Sequence, residues 1–147
     1  MSGRWWLVVG ALVAGTAVGC GALGAHFFEG YAAQLYKAVD IQERRIDNWD
    51  TAAQYQMYHG LALLAVGLAA MLRPDRLWNI AGALFVVGVL LFSGSLYAIA
   101  LSGVPSLKDT PPWFIAIIAT PSGGICLMIA WASFAVAAWR GHAGQKT

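Results

Sequence analysis

From Leu77 to Leu107 the chain carries no charged side chain, and a helix drawn from such a run is long enough to cross about 30 Å of hydrocarbon. Inside the run sits a knot of polar and small residues, Leu91-Phe92-Ser93-Gly94-Ser95-Leu96-Tyr97. Hydrocarbon offers hydroxyls no partner, and an unpaired one there costs roughly a few kcal/mol. The rest of the chain must therefore supply hydrogen-bond partners to this knot.

The composition extends the same argument to the whole molecule. Of 147 residues, 59% are hydrophobic and 11% charged, with a mean hydropathy of +0.64, which sets the chain apart from soluble globular domains. It reads as an all-α integral membrane protein forming one domain. The formal charge of +2 arises from loop residues, so no basic face suited to nucleic acid is visible. Cys20 and Cys126 lie in separate apolar runs without CxxC spacing, and they read as buried, inert thiols.

Four spans follow in order, at about residues 5–26, 52–72, 77–101 and 113–139. Arg4 and the apolar run after it share features with a secretory leader, but we read them as a retained span. Ala11, Gly15 and Gly19 recur every fourth residue there and provide a strip for close helix contact, expected within the chain itself. Residues 29–50 are the one long charged connector and read as lying outside the hydrocarbon, helical in part. Thr51-Ala52-Ala53-Gln54 fits a capping box opening the second span. Arg73-Pro74-Asp75-Arg76 is a tight turn. In the fourth span, Thr120-Pro121-Ser122-Gly123-Gly124 predicts a kink or break, because Pro121 cannot bond the carbonyl of Ile117. With four spans both termini share a side, which carries Arg4, Arg73, Arg76, Arg140 and Lys146 against Lys37, Arg44, Arg45 and Lys108 opposite. Positive charge on the terminal side predicts cytoplasmic termini.

Counting helical rise along each span brings His26, His59, Ser93, Ser95, Tyr97, Thr120, Pro121 and Ser122 into one half of the bilayer. Such a coincidence is natural if the groups face one another. A buried cluster is expected in which His59, about 10 Å inside the hydrocarbon, is neutral and bonded to the Ser93/Tyr97 face or the Ile117 carbonyl, with Ser95 pointing elsewhere. Gly94, Gly123 and Gly124 are expected to let neighbouring helix backbones approach.

Four motifs, Gly21-Ala22-Leu23-Gly24-Ala25-His26, Tyr55-Gln56-Met57-Tyr58-His59-Gly60-Leu61-Ala62-Leu63-Leu64, Phe92-Ser93-Gly94-Ser95-Leu96-Tyr97 and Thr120-Pro121-Ser122-Gly123-Gly124, together resemble the YgdD-like family, known as domain of unknown function number 423. The resemblance implies a small four-helix membrane protein of the bacterial inner membrane, with a related mitochondrial branch in animals and no established activity. Gly60 stands where the family usually has alanine, and residues 29–50 match it poorly.

Three functions compete. An accessory, assembly or stabilising subunit, partnered by lipid and other membrane subunits, suits a chain without a cofactor motif and rich in small residues and tryptophan. A small transporter or channel using His59 and the Pro121 break is the alternative, although no Asp, Glu, Lys or Arg falls within the expected spans. A metal or redox enzyme on Cys20, His26 and His59 lacks ligands at suitable spacing, so no cofactor and no catalysis are expected.

Overall fold

The structure is a computed structural model that describes residues 3–35, 37–102 and 118–143. It contains α1 (Gly3–Leu23), a π-helical turn (Gly24–Phe28), α2 (Glu29–Leu35), α3 (Val39–Leu72), α4 (Arg76–Leu101) and α5 (Thr120–Ala143). Four stretches are long and apolar enough to cross a membrane: Gly3–Leu35, Val39–Leu72, Arg76–Leu101 and Thr120–Arg140. Residues 113–117 of the expected fourth span, with Lys108, the Ile117 carbonyl and Lys146, lie outside the described residues. Ile118 and Ala119, immediately before Thr120 and Pro121, are π-helical, and regular α-helix begins at Thr120. Pro121 thus occupies the first turn of α5, where its missing N–H costs least.

α1 packs on α3, α3 on α4, and α4 on α5, so α3 and α4 form the centre. Their shared core gathers Trp6, Leu63, Val66, Trp78, Phe85, Leu127 and Ala130. The α1/α3 seam is built from small residues spaced by seven: Gly3, Gly10, Ala17 and Gly24 are buried on the first helix and its π turn, and Ala53, Gly60 and Gly67 on α3. A repeat of seven keeps one stripe on the partner helix, as in a coiled coil. Here the backbones themselves touch. A Cβ on Gly10 would stand 2.8 Å from the Leu64 nitrogen, and one on Gly60 would stand 2.7 Å from that of Ala14.

Ala11, Gly15 and Gly19 do not take part. The expectation that they pack within the chain is overturned: none of the three is buried, and a Cβ on Gly15 or Gly19 would meet nothing within 4 Å. At 100° per residue, Gly15 lies about 140° around α1 from Gly10, facing away from α3.

The expected capping box at Thr51 is also corrected, because α3 runs unbroken from Val39 and Thr51 lies in its interior. Arg45, Trp49, Ala52 and Ala53 are buried on one face of this segment, while Glu43, Arg44 and Asp50 are exposed. Packing of that face carries the helix through a sequence that resembles a start signal. At about 1.5 Å per residue, the 34 residues of α3 span about 51 Å and outreach the hydrocarbon by about 20 Å. Much of the expected connector is therefore a helical hairpin of α2 against the first turns of α3.

The π turn changes the phase of the first helix. The residue it inserts rotates the downstream segment, and the buried positions pass from the spacing of seven to Gly24, Phe28 and Ala32. Phe28 stacks on Trp49 with ring centroids 4.7 Å apart, and the Trp49 indole donates to the Cys20 carbonyl at 2.8 Å.

Candidate functional site

The polar residues of α3 and α4 do gather along one seam, but they form separate sets rather than one network. At the centre is Gln56, whose amide has both a donor and an acceptor end. Its Nε2 donates to the Val13 carbonyl at 3.1 Å and to Thr16 Oγ1 at 2.8 Å, while its Oε1 accepts from the Tyr97 hydroxyl at 3.1 Å. Thr16 in turn donates to the Leu12 carbonyl at 2.8 Å. The directed chain Tyr97 to Gln56 to Thr16 ties α4, α3 and α1 together. Neither Gln56 nor Thr16 was among the residues expected in the buried cluster. Their signal is an amide and a hydroxyl set beside apolar runs, which hydrocarbon forces to find partners on another helix.

His59 joins a different set. Its Nδ1 lies 2.7 Å from the Tyr55 carbonyl and its Nε2 accepts from the Trp131 indole at 3.3 Å. A carbonyl on one side and an N–H donor on the other select the neutral ring protonated at Nδ1. The expected bonds to Ser93 or Tyr97 are absent among the described residues. The helical register places His59 beside Phe85 and Trp131, with ring centroids 5.5 and 6.3 Å away, rather than beside the hydroxyls.

Ser95, expected to point elsewhere, bonds Thr120 Oγ1 at 2.6 Å and the Phe92 carbonyl at 2.8 Å, linking α4 to α5. Ser122 bonds back to the Ile118 and Ala119 carbonyls of its own helix at 2.6 and 3.1 Å. Ser93 is 1% exposed, and its Oγ has no hydrogen-bond partner among the described residues. With Thr16, Gln56, Gly94 and Tyr97 it lines a crevice of about 260 Å³. His26 is exposed in the π turn and joins none of these sets. Gly123 closes on α4, where a Cβ would stand 2.5 Å from the Phe92 nitrogen; Gly124 makes ordinary contact with the Phe92 ring, and Gly94 is open with nothing within 4 Å.

One functional group was concealed by its charge. Arg45 is 4% exposed, and its guanidinium donates to the Ile99 carbonyl and, at 3.1 Å, to Ser102 Oγ. A cation on the carbonyls that end α4 meets the negative end of that helix's dipole. Its legible signal was spacing: Arg45, Trp49 and Ala52 share a helical face.

The chemistry open to this arrangement is limited. The His59 lone pair is already occupied by Trp131, so His59 is not poised as a base toward a neighbouring hydroxyl. Among the described residues no three His, Cys, Asp or Glu side chains are grouped closely enough to hold a metal ion. The sets act as struts between helices.

Replacing His59 tests this directly. Glutamine retains a donor and an acceptor, whereas phenylalanine leaves the Trp131 N–H without its partner. His59→Gln is therefore expected to keep more thermal stability in detergent than His59→Phe, by about 1 kcal/mol. Equal losses would contradict the strut assignment.

The family model described as protein of unknown function DUF423 matches residues 20–124, from the end of α1 into the first turns of α5. The chain belongs to the DUF423 family. A UPF0382 membrane protein of Staphylococcus epidermidis is 38% identical over 132 residues, covering 90% of this chain and 93% of its own length. The UPF0382 membrane protein YwdK of Bacillus subtilis is 36% identical over 138 residues, covering 90% of this chain and 94% of its own. One from Haemophilus influenzae is 35% identical over 130 residues, covering 88% and 91%. No solved structure matches the chain. The DUF423 match takes in Gln56, His59, Ser95, Tyr97 and Thr120, so the struts joining α3, α4 and α5 are built largely from the family's matched segment. This DUF423 chain is a membrane protein with four apolar helices.

Proposed function

We propose that this protein is an accessory, assembly or stabilising subunit of a larger complex in the bacterial inner membrane, and not an enzyme. The observation that carries the proposal is the open strip of Ala11, Gly15 and Gly19. Close helix contact in lipid depends on small residues at the contact, and the fold uses other glycines for its own seam. The strip faces outward with its full width free. It suits a transmembrane helix of another subunit.

Charge supports cytoplasmic termini. Arg4, Arg73, Arg76 and Arg140 lie at the terminal end of the bundle, whereas Arg45 is committed to the end of α4 and does not act as a loop charge. That leaves the bias toward cytoplasmic termini stronger than counting alone gives. The projecting hairpin of α2 and α3 then faces the opposite compartment. The transporter alternative loses support because both ring nitrogens of His59 are engaged.

Leucine on the strip obstructs a partner without touching the seam. Gly15→Leu is expected to insert and fold normally yet run free of the larger assembly on native gels after mild extraction. Retention of the assembly by this variant would count against α1 as the contact helix.

A further inference from the structure

The end of the bundle that bears Arg73 and Arg140, cytoplasmic in the orientation proposed above, carries a second feature, independent of the α1 strip. A crevice of about 750 Å³ opens between the turn joining α3 to α4 and the last turns of α5, in the size range of about 300–1,000 Å³ typical of ligand sites. Its wall is apolar, with Leu72, Trp78, Phe134 and Ala137, and its rim carries Arg73 and Arg140. Arg76 and Arg4 line a neighbouring cavity across the turn. Against these four guanidinium groups, the one carboxylate at this end among the described residues is Asp75, which also lines the crevice. Asp75 Oδ1 is occupied in accepting the Leu77 N–H at 2.8 Å, which caps α4.

We propose that this crevice binds an anionic phospholipid, with Arg73 and Arg140 on the phosphate and the Trp78/Phe134 wall against the first carbons of its chains. Several observations favour a lipid. Leu72, which lines the opening, and Trp139, next to Arg140 in sequence, are 82% and 80% exposed and present apolar surface to lipid. Guanidinium groups pair with phosphate oxygens through two parallel hydrogen bonds, and basic pockets between membrane helices at the cytoplasmic face suit anionic head groups. An apolar wall directly beneath the cations gives a ligand with both a charged head and a hydrocarbon tail an advantage over a free anion.

The test is thermal unfolding of the purified full chain in mixed micelles. Phosphatidylglycerol is expected to raise Tm by about 4 °C over phosphatidylcholine at equal lipid content. The Arg73→Gln/Arg140→Gln variant should keep the wild-type Tm in phosphatidylcholine and lose the shift. If that double variant does not fold, Arg140→Gln alone, on an exposed residue, is expected to reduce the shift. Arg4→Gln/Arg76→Gln should retain it. Equal stabilisation by the two lipids, an equal effect of inorganic phosphate, or equal loss in the Arg4/Arg76 variant would each overturn the proposal.

Discussion

Gly10→Leu is expected to detach α1 from α3, with a loss of roughly 3 kcal/mol or more, the upper part of the range for overpacking a tight contact. The reason is the identity of the atoms it meets. A Cβ at residue 10 would lie 2.8 Å from the Leu64 nitrogen and 2.9 Å from the Gly60 oxygen, and backbone atoms of a helix cannot rotate aside as a side chain can. The same substitution five residues on, Gly15→Leu, enters open space. The pair therefore compares identical chemistry on one helix. Thermal unfolding in detergent should show a large fall in Tm for Gly10→Leu and little change for Gly15→Leu; equal stabilities would contradict the assignment of the seam.

Arg45→Met is expected to cost about 2–3 kcal/mol and to loosen the end of α4, since methionine approximates the length of the stem but removes the charge-assisted bonds to the Ile99 carbonyl and Ser102 Oγ, leaving Ile99 only its bonds from Ser102. The dipole of α4 loses its counter-charge at the same time. Arg45→Lys restores the charge without the planar fork and should recover only part of the loss. Hydrogen exchange can localise the effect: amides in the last turns of α4 should exchange faster in Arg45→Met while those near Asp75 remain protected. A uniform change along α4 would contradict a local role for Arg45.

The helices were legible in the sequence because hydrophobic run length is a property of each segment alone. The partners of polar groups were not, since these depend on how helices rotate against one another. Counting rise gives the depth of Ser93, Ser95 and His59 but not the direction each faces, and that direction decides whether a hydroxyl meets Thr120, as Ser95 does, or nothing, as Ser93 does. Glycine spacing was ambiguous for the same reason. The repeat of four at Ala11, Gly15 and Gly19 and the repeat of seven at Gly3, Gly10, Ala17 and Gly24 are both stripes, and only the matching repeat in Ala53, Gly60 and Gly67 shows which one the fold uses. At Thr51 a local pattern gave the wrong boundary, because burial of Arg45 and Trp49 outweighed a sequence able to cap. Charge misled at Arg45, where a residue type that usually faces water instead ends a helix.

The proposed subunit role depends on whether the outward face of α1 is covered in the membrane. The most direct measurement is the mass of the untagged wild-type protein extracted mildly from its own membrane, by native gel and mass spectrometry of the migrating species. Migration with other membrane proteins in a particle that Gly15→Leu fails to join is the predicted result. A wild-type protein found only as an isolated monomer or simple homo-oligomer would contradict it.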